Sequence, residues 1–547
     1  MDSCEVESGR RSNDESITPN PIQDVAVGTT QLFSHNQIIL VPRPTTDGLD
    51  PLNLPLWRKW AILILVSAYS STAVLVATGL GSIFPIIQAD YPGQRARTND
   101  LVTYPTLFMG LGNLISMPLA LTVGRRPVFL VSLLLMSVSG LWCALSKSLE
   151  SHIAGRDILA LAAGQSEALA PLMIQEIFFL HERGRKLSWF ISLQNVVTAG
   201  FAMATTYMVE AWGWRWWYGF FTAINVVLLL LSFLLVSETK YDRPETTTSA
   251  AMDIVAAAVV FEEDAGTRDE KSGNYAHLEY LRVVTEEEYR KSGNYKPTPW
   301  NWRETLKLYT QKPRWSEILL FYKHCAQGVC IPSILWLLLL NGAFLGLYVF
   351  QASTFATVLL SPPYNFPFPA LGYVQAAQVA VTAVFLPLLG YGGDFIIKHW
   401  SKRNKGVYEP EYRLIPLVIP SVVGIICAIM YGQAAANPFQ YSHWASVAVS
   451  YNATFFGFLG ANIVGITYAI DSFPTRAGAF LVVICAGRGF ISFGLSYATL
   501  PAISAIGYDG VMIAEASICA GLSVLGIAVY FFGRRIRQMA DKWFIRS

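Results

Sequence analysis

The sequence predicts an all-α membrane protein, with twelve transmembrane helices in two six-helix halves. Three observations carry this. Hydrophobic residues make up 53% of the 547 residues and charged residues only 14%, against about 25% charged in a typical soluble domain. The apolar residues form continuous runs, unlike the alternating segments of about ten residues in a membrane β-barrel. The runs fall as six, then a polar stretch of about 90 residues, then six.

A bilayer core about 30 Å thick takes roughly 20 helical residues to cross. The first six runs lie at about 60–83, 101–122, 127–146, 153–178, 188–210 and 216–236. The second six lie at about 331–358, 369–391, 414–433, 444–468, 477–500 and 508–532. Several contain Pro or Gly, which membrane helices tolerate because neighbouring groups re-satisfy the backbone. The domain reading follows: a disordered N-tail (1–56), an N-terminal half (57–237), a central loop (238–328), a C-terminal half (329–533) and a C-tail (534–547). The N-tail is polar, acidic and Ser-rich, with no apolar core of a signal peptide. The central loop carries "EEDAGTRDEKSGNY" and "TEEEYRKSGNYKP", a charge density that excludes it from lipid; "KSGNY" occurs twice, at 271 and 291.

Orientation follows from Lys and Arg in the short connections. With the N-tail cytoplasmic, the inner connections after runs 2, 4, 8 and 10 and the C-tail hold sixteen of them, and the outer connections hold four: Arg95, Arg97, Lys147 and Arg215. Both termini and the central loop are therefore expected in the cytoplasm, and "WGWRWWY" (212–218) in the outer aromatic belt.

Composition also excludes function classes. A net charge of +2 suggests no nucleic-acid partner. The seven Cys show no CxxC spacing or paired His, so neither a disulfide framework nor a metal site is read. No phosphate-binding loop and no nucleophile–base pair is present, so neither an enzyme, a cofactor nor ATP as an energy source is expected.

The chemistry is sought among charges inside the runs, because each costs at least ~2.5 kcal/mol at the bilayer centre and usually marks a pathway or a paired contact. Run 4 carries Arg156, Asp157, Glu167 and Glu176. The eleven-residue step from Arg156 to Glu167 is about three helical turns, so both are expected on one face about 16 Å apart. Glu176 then points to the opposite face. Glu167, near the midplane, is read as a proton or cation site, since desolvation raises a carboxylate's pKa. Arg488 lies in "CAGRGF" of run 11 and cannot lose its charge in practice. It therefore needs a carboxylate, and Glu167 and Glu515 of run 12 are the candidates. Polar uncharged residues such as Asn195, Gln378 and Asn462 read mainly as contacts between helices.

A second set of charges sits at the cytoplasmic membrane edge. It comprises Arg125, Arg126, Asp394, Arg403, Glu409, Glu411, Arg413, Asp471 and Arg476. Most of it surrounds "RNKGVYEPEYRL" (403–414), where opposite charges are dense enough to form a lock that breaks as the two halves move. Exposed pairs contribute only ~0–1 kcal/mol each, so several must act together.

Particular motifs add a family resemblance. "GRRPV" (124–128) resembles the end of the loop signature of the major facilitator superfamily, G-x-x-x-D-R-x-G-R-[RK]-P. Met117 and Leu121 stand where that signature has its Gly and Asp, while Gly390 and Asp394 keep the spacing in the second half. "RDILALAAGQ" (156–165) looks like the signature of span 4, built on an Arg and a following Gly. "DPLNLPLWRKW", "HERGRK", "SETKYDR" and "RNKGVYEPEYRL" are similar to a fungal branch of polyamine or organic-cation carriers and secondary-metabolite or drug exporters. The resemblance implies a secondary transporter of a small organic molecule, driven by protons through alternating access, functional as a monomer in the plasma membrane. Export of a secondary metabolite or toxin leads. Uptake of an organic cation or polyamine is the alternative, favoured by the lack of Pro in "LQNVVTAGFAMATTYMV" of run 5, while Arg488 argues against a purely cationic site. A substrate sensor on the same fold is the alternative from another class.

Overall fold

In the computed structural model, twelve helices among the described residues are long and apolar enough to cross a membrane. Spans 1–6 are Leu56–Ser82, Asp100–Thr122, Arg125–Leu145, Leu149–Ile177, Arg185–Trp212 and Trp214–Leu235. Spans 7–12 are Pro332–Leu360, Leu371–Arg403, Pro410–Ala436, Ala445–Ser472, Ala477–Thr499 and Pro501–Trp543. The structure describes residues 50–241, 313–404, 407–441 and 443–546, and the backbone of 30–31, 33–34 and 37–38. The repeated "KSGNY" lies outside the described residues, as does most of the tail expected to be disordered. Of that tail, Thr30–Gln31 pairs antiparallel with Val407–Tyr408, inside the charged segment after span 8.

The spans sort into layers by their side chains. In spans 1, 4, 7 and 10, 72, 78, 67 and 83% of the most apolar stretch is buried, so these four form the centre. Spans 3, 6, 9 and 12 present rows of large apolar side chains outward, including Val131, Leu134 and Val138 on span 3 and Val524, Leu525 and Phe531 on span 12. Such rows suit contact with lipid, which needs no polar outer face. At the end away from the chain termini, spans 1 and 7 meet closely. A Cβ on Gly81 would lie 2.8 Å from the Ala352 carbonyl oxygen, so only glycine fits there.

Two elements differ from the sequence reading. The helix Ser316–Cys330 falls across the end of the expected central loop (238–328). It buries Phe321, Cys325 and Gly328, and it touches both halves: Tyr322 Oη donates to the Leu114 carbonyl of span 2 (3.0 Å), and Cys325 Sγ to the Ala479 carbonyl of span 11 (3.6 Å). Its apolar residues are few and interspersed with Glu317, Lys323 and His324, too polar a pattern for a membrane span. The expected C-tail is also helical: the helix of span 12 runs on through Arg546, and its backbone leaves helical geometry near its start, at Gly507 (φ 75°, ψ 174°).

Candidate functional site

The site begins with a break in span 4. The helices Leu149–Gly164 and Leu169–Ile177 are separate, and between them Ser166 N and Glu167 N donate to the carbonyls three residues back. The break is held against span 2 by glycines. A Cβ on Gly164 would lie 2.2 Å from the Met109 carbonyl oxygen, and one on Gly112 would lie 2.1 Å from that of Leu161. This contact sets where Glu167 emerges.

Glu167 emerges into a cavity of about 190 Å³ enclosed by spans of both halves. There Arg488 Nη2 lies 2.6 Å from Glu167 Oε1, and Arg488 Nη1 donates to Asn462 Oδ1 at 2.6 Å. Asn113 Nδ2 donates to Glu167 Oε2 at 3.5 Å, and Cys485 Sγ to the Glu167 carbonyl at 3.6 Å. The side chains are 16% (Glu167) and 5% (Arg488) exposed, so the pair is shielded from water and its attraction is little screened. A carboxylate that can take a proton thus faces a guanidinium that cannot give one up.

The rest of the lining is electrically neutral. Gln194, Asn195, Gln378, Ser166 and Ser492 supply polar groups, and Tyr348, Phe455 and Phe458 form an aromatic wall. Tyr348 and Phe458 are parallel, with centroids 5.9 Å apart and planes at 3°. Tyr348 Oη is bonded to Tyr451 Oη at 3.3 Å and accepts from Gln378 Nε2 at 3.4 Å.

Arg156 does not join this group, contrary to the expectation that it shares a face with Glu167. It is buried, and its guanidinium donates to the carbonyls of Leu101 (2.8 Å), Val76 (3.2 Å) and Ala77 (2.7 Å) and to Tyr218 Oη (2.7 Å). It ties span 4 to spans 1, 2 and 6. A helical-wheel argument assumes an unbroken helix, and the break after Gly164 removes that premise. Glu515 is not the partner of Arg488 either. It lies in span 12, outside the cavity lining, and its Oε2 is buried without a hydrogen-bond partner among the described residues.

At the end of the bundle that carries the termini, the second set of charges resolves into separate clusters. Arg125 Nη2 lies 2.7 Å from Glu176 Oε1, and Thr239 Oγ1 donates to Glu176 Oε2 at 2.6 Å. Glu238, which the sequence reading did not single out, accepts from the backbone N–H groups of Arg125 (2.9 Å), Arg126 (3.2 Å) and Lys240 (2.9 Å). Burial pushes its carboxyl above the ordinary range, and these bonds partly offset the shift. Arg126 Nη2 donates to the Phe233 carbonyl at 2.6 Å.

In the second half, Asp471 Oδ2 accepts from Tyr408 Oη at 2.6 Å and pairs with Arg413. Arg537 and Glu411 form a pair whose side chains are 0 and 4% exposed, with bonds of 3.0 and 2.8 Å. Arg534 and Glu409 lie 3.8 Å apart and are more exposed. Asp394 lines two small clefts, one between spans 5 and 8 beside Arg185 and one among spans 5, 8, 9 and 10 beside Arg413. Arg403 is exposed at the end of span 8 and makes no ion pair among the described residues, so it does not partner Asp394. Arg476 lines a cavity of about 450 Å³ between the halves, with Arg125, Glu176 and His324. The pairs Arg125–Glu176, Arg413–Asp471 and Arg537–Glu411 each join residues within one half, and in the second half Arg413 and Glu411 reach spans 10 and 12 of their own half.

Two six-span halves around a shielded central cavity define a secondary transporter, in which the site opens alternately to either side. The family model of the major facilitator superfamily matches residues 61–493, and the chain belongs to that superfamily. It is a multi-pass membrane protein that transports small molecules and is not an enzyme. An uncharacterized MFS-type transporter of Schizosaccharomyces pombe is 23% identical, over 96% of this chain and 95% of its own. The MFS-type efflux pump MMF1 of Pseudozyma antarctica is also 23% identical, over 79% of this chain and 80% of its own. Among solved structures, a POT family transporter in complex with 5-aminolevulinic acid superposes with a TM-score of 0.55 at 11% identity, covering 90% of this chain and all of the other.

Proposed function

We propose that the protein exports a small organic molecule, a secondary metabolite or toxin, across the plasma membrane in exchange for protons. Both termini face the cytoplasm, and one chain is the working unit. The observation that carries this reading is the ion pair of Glu167 and Arg488, which joins the two halves across the cavity. Protonation of Glu167 removes one charge of the pair, while a buried guanidinium left alone is strongly disfavoured. Proton uptake on one side therefore loosens the contact between the halves, and proton release on the other side restores it. Export follows the likeness to the efflux pump of Pseudozyma antarctica.

The test compares small molecules inside and outside cells with the protein, without it, and with Glu167→Gln in its place. Compounds that build up inside when the protein is lost, and equally with Glu167→Gln present at normal membrane levels, are the expected result. Compounds depleted inside would reverse the direction to uptake. Retained gradient-driven transport by Glu167→Gln would remove the coupling role.

A further inference from the structure

The cavity also constrains what it carries. We infer that the substrate is an uncharged aromatic molecule of one or two rings with hydroxyl or carbonyl groups on its rim; this rests on the central cavity being the transport site. Charge comes first. Glu167 and Arg488 neutralise each other at 2.6 Å, and the other polar groups of the lining are amides and hydroxyls. While the pair is formed, a fixed charge on the substrate finds no counter-ion that is not already used, and burying an unpaired charge is heavily penalised.

Shape comes second. Tyr348, Phe455 and Phe458 line one wall, and their rings continue away from the cavity as a stack. Phe458, Tyr348, Tyr451 and Phe355 follow one another with interplanar angles of 3°, 11° and 8°. The bonds from Tyr348 Oη to Tyr451 and Gln378 hold the stack, and Phe455 leans against Tyr348 at 38°, so the wall offers both parallel and tilted rings. A flat aromatic guest gains offset-stacked or edge-to-face contact there, which a flexible aliphatic chain does not.

Size comes third. A dry cavity of about 150 Å³ accommodates benzene. The cavity of about 190 Å³ takes one ring or two fused rings before a wall must move. Gln194 and Asn195 of span 5 also line the cavity and present amide groups to a polar rim.

The experiment measures binding to the purified full-length protein in lipid nanodiscs, using three naphthyl probes of similar size that differ in charge, and one flexible aliphatic polycation. These are 2-naphthol (uncharged, flat), 2-naphthoate (anion), 2-naphthylmethylammonium (cation) and spermidine (flexible polycation). Binding of 2-naphthol at least tenfold tighter than the other three is expected, as is a loss of about three- to tenfold in Phe458→Leu and in Tyr348→Phe/Phe458→Leu. The unliganded Tm of each variant reports whether it folds, and Phe458→Leu nearly conserves volume. Equal or tighter binding of either naphthyl ion or of spermidine overturns the inference. So does 2-naphthol binding that Phe458→Leu leaves unchanged, or no binding of any probe. Two readouts separate the readings: export of the accumulating compounds under a proton gradient tests the proposed function, whereas 2-naphthol binding in nanodiscs, measured with no gradient, tests only the ligand class of the cavity.

Discussion

Arg488 Nη2 and Glu167 Oε1 lie 2.6 Å apart, and the two residues belong to different halves of the molecule. This contact makes an ion pair a joint between moving parts. Most other pairs of the described structure stay within one half, so they stabilise a half without reporting its position relative to the other.

The joint should show thermodynamic coupling. Arg488→Ala leaves Glu167 shielded without its partner, at a cost of about 3–5 kcal/mol. Glu167→Ala/Arg488→Ala removes both charges and should recover a large part of that loss. Thermal unfolding in detergent, run as a double-mutant cycle, checks this; additive effects would mean that the two do not interact.

The buried pair Arg537–Glu411 should matter far more than the exposed pair Arg97–Glu150, whose side chains are 59 and 75% exposed. Glu411→Ala is expected to lose about 3–5 kcal/mol, and Glu150→Ala at most about 1 kcal/mol. Salt should weaken only the exposed pair. Unfolding midpoints at low and high ionic strength measure both effects.

Glu238 gives a pH dependence with a definite sign. Its carboxyl is raised above 4.5 in the folded protein by burial. Its contribution to stability is therefore fully present below about pH 4.5, where both states are protonated, and is lost as pH rises through the folded value. The Tm difference between wild type and Glu238→Gln should move against the wild type over that window. A flat difference would show that Glu238 does not titrate with folding.

The glycine contact behind Glu167 should tolerate no side chain. Gly164→Ala and Gly112→Ala would each place a Cβ about 2.1–2.2 Å from a backbone oxygen, so spans 2 and 4 must separate. Low yield of folded protein, or transport lost at normal yield, is expected. Gly200→Ala, where a Cβ meets nothing within 4 Å, serves as the control and should behave as wild type. Yield by fluorescence-detected size exclusion reads all three.

Much of the site was legible as a list of residues and little of it as an arrangement. Glu167 and Arg488 stand out in sequence because a charge in an apolar run is costly wherever it ends up. Asn113 and Glu238 carry no comparable signal: an amide in a span is common, and Glu238 sits at the start of a highly charged segment. Arg156 shows the converse. Its residue type marks it, but its role as a tie between four spans depends on carbonyls of Val76, Ala77 and Leu101 that no side-chain pattern reveals.

The twelve spans and the grouping of charges at one end were determined by the sequence alone, because partition between lipid and water is a local property of each twenty-residue stretch. Which carboxylate meets Arg488 was decided only by the tertiary structure. That choice depends on the break in span 4 after Gly164 and on the close approach of spans 2 and 4 at Gly112, which turn Glu167 into the cavity and leave Glu515 buried elsewhere. A carboxylate's affinity for a guanidinium is the same in either place; the distance between them is a property of packed helices.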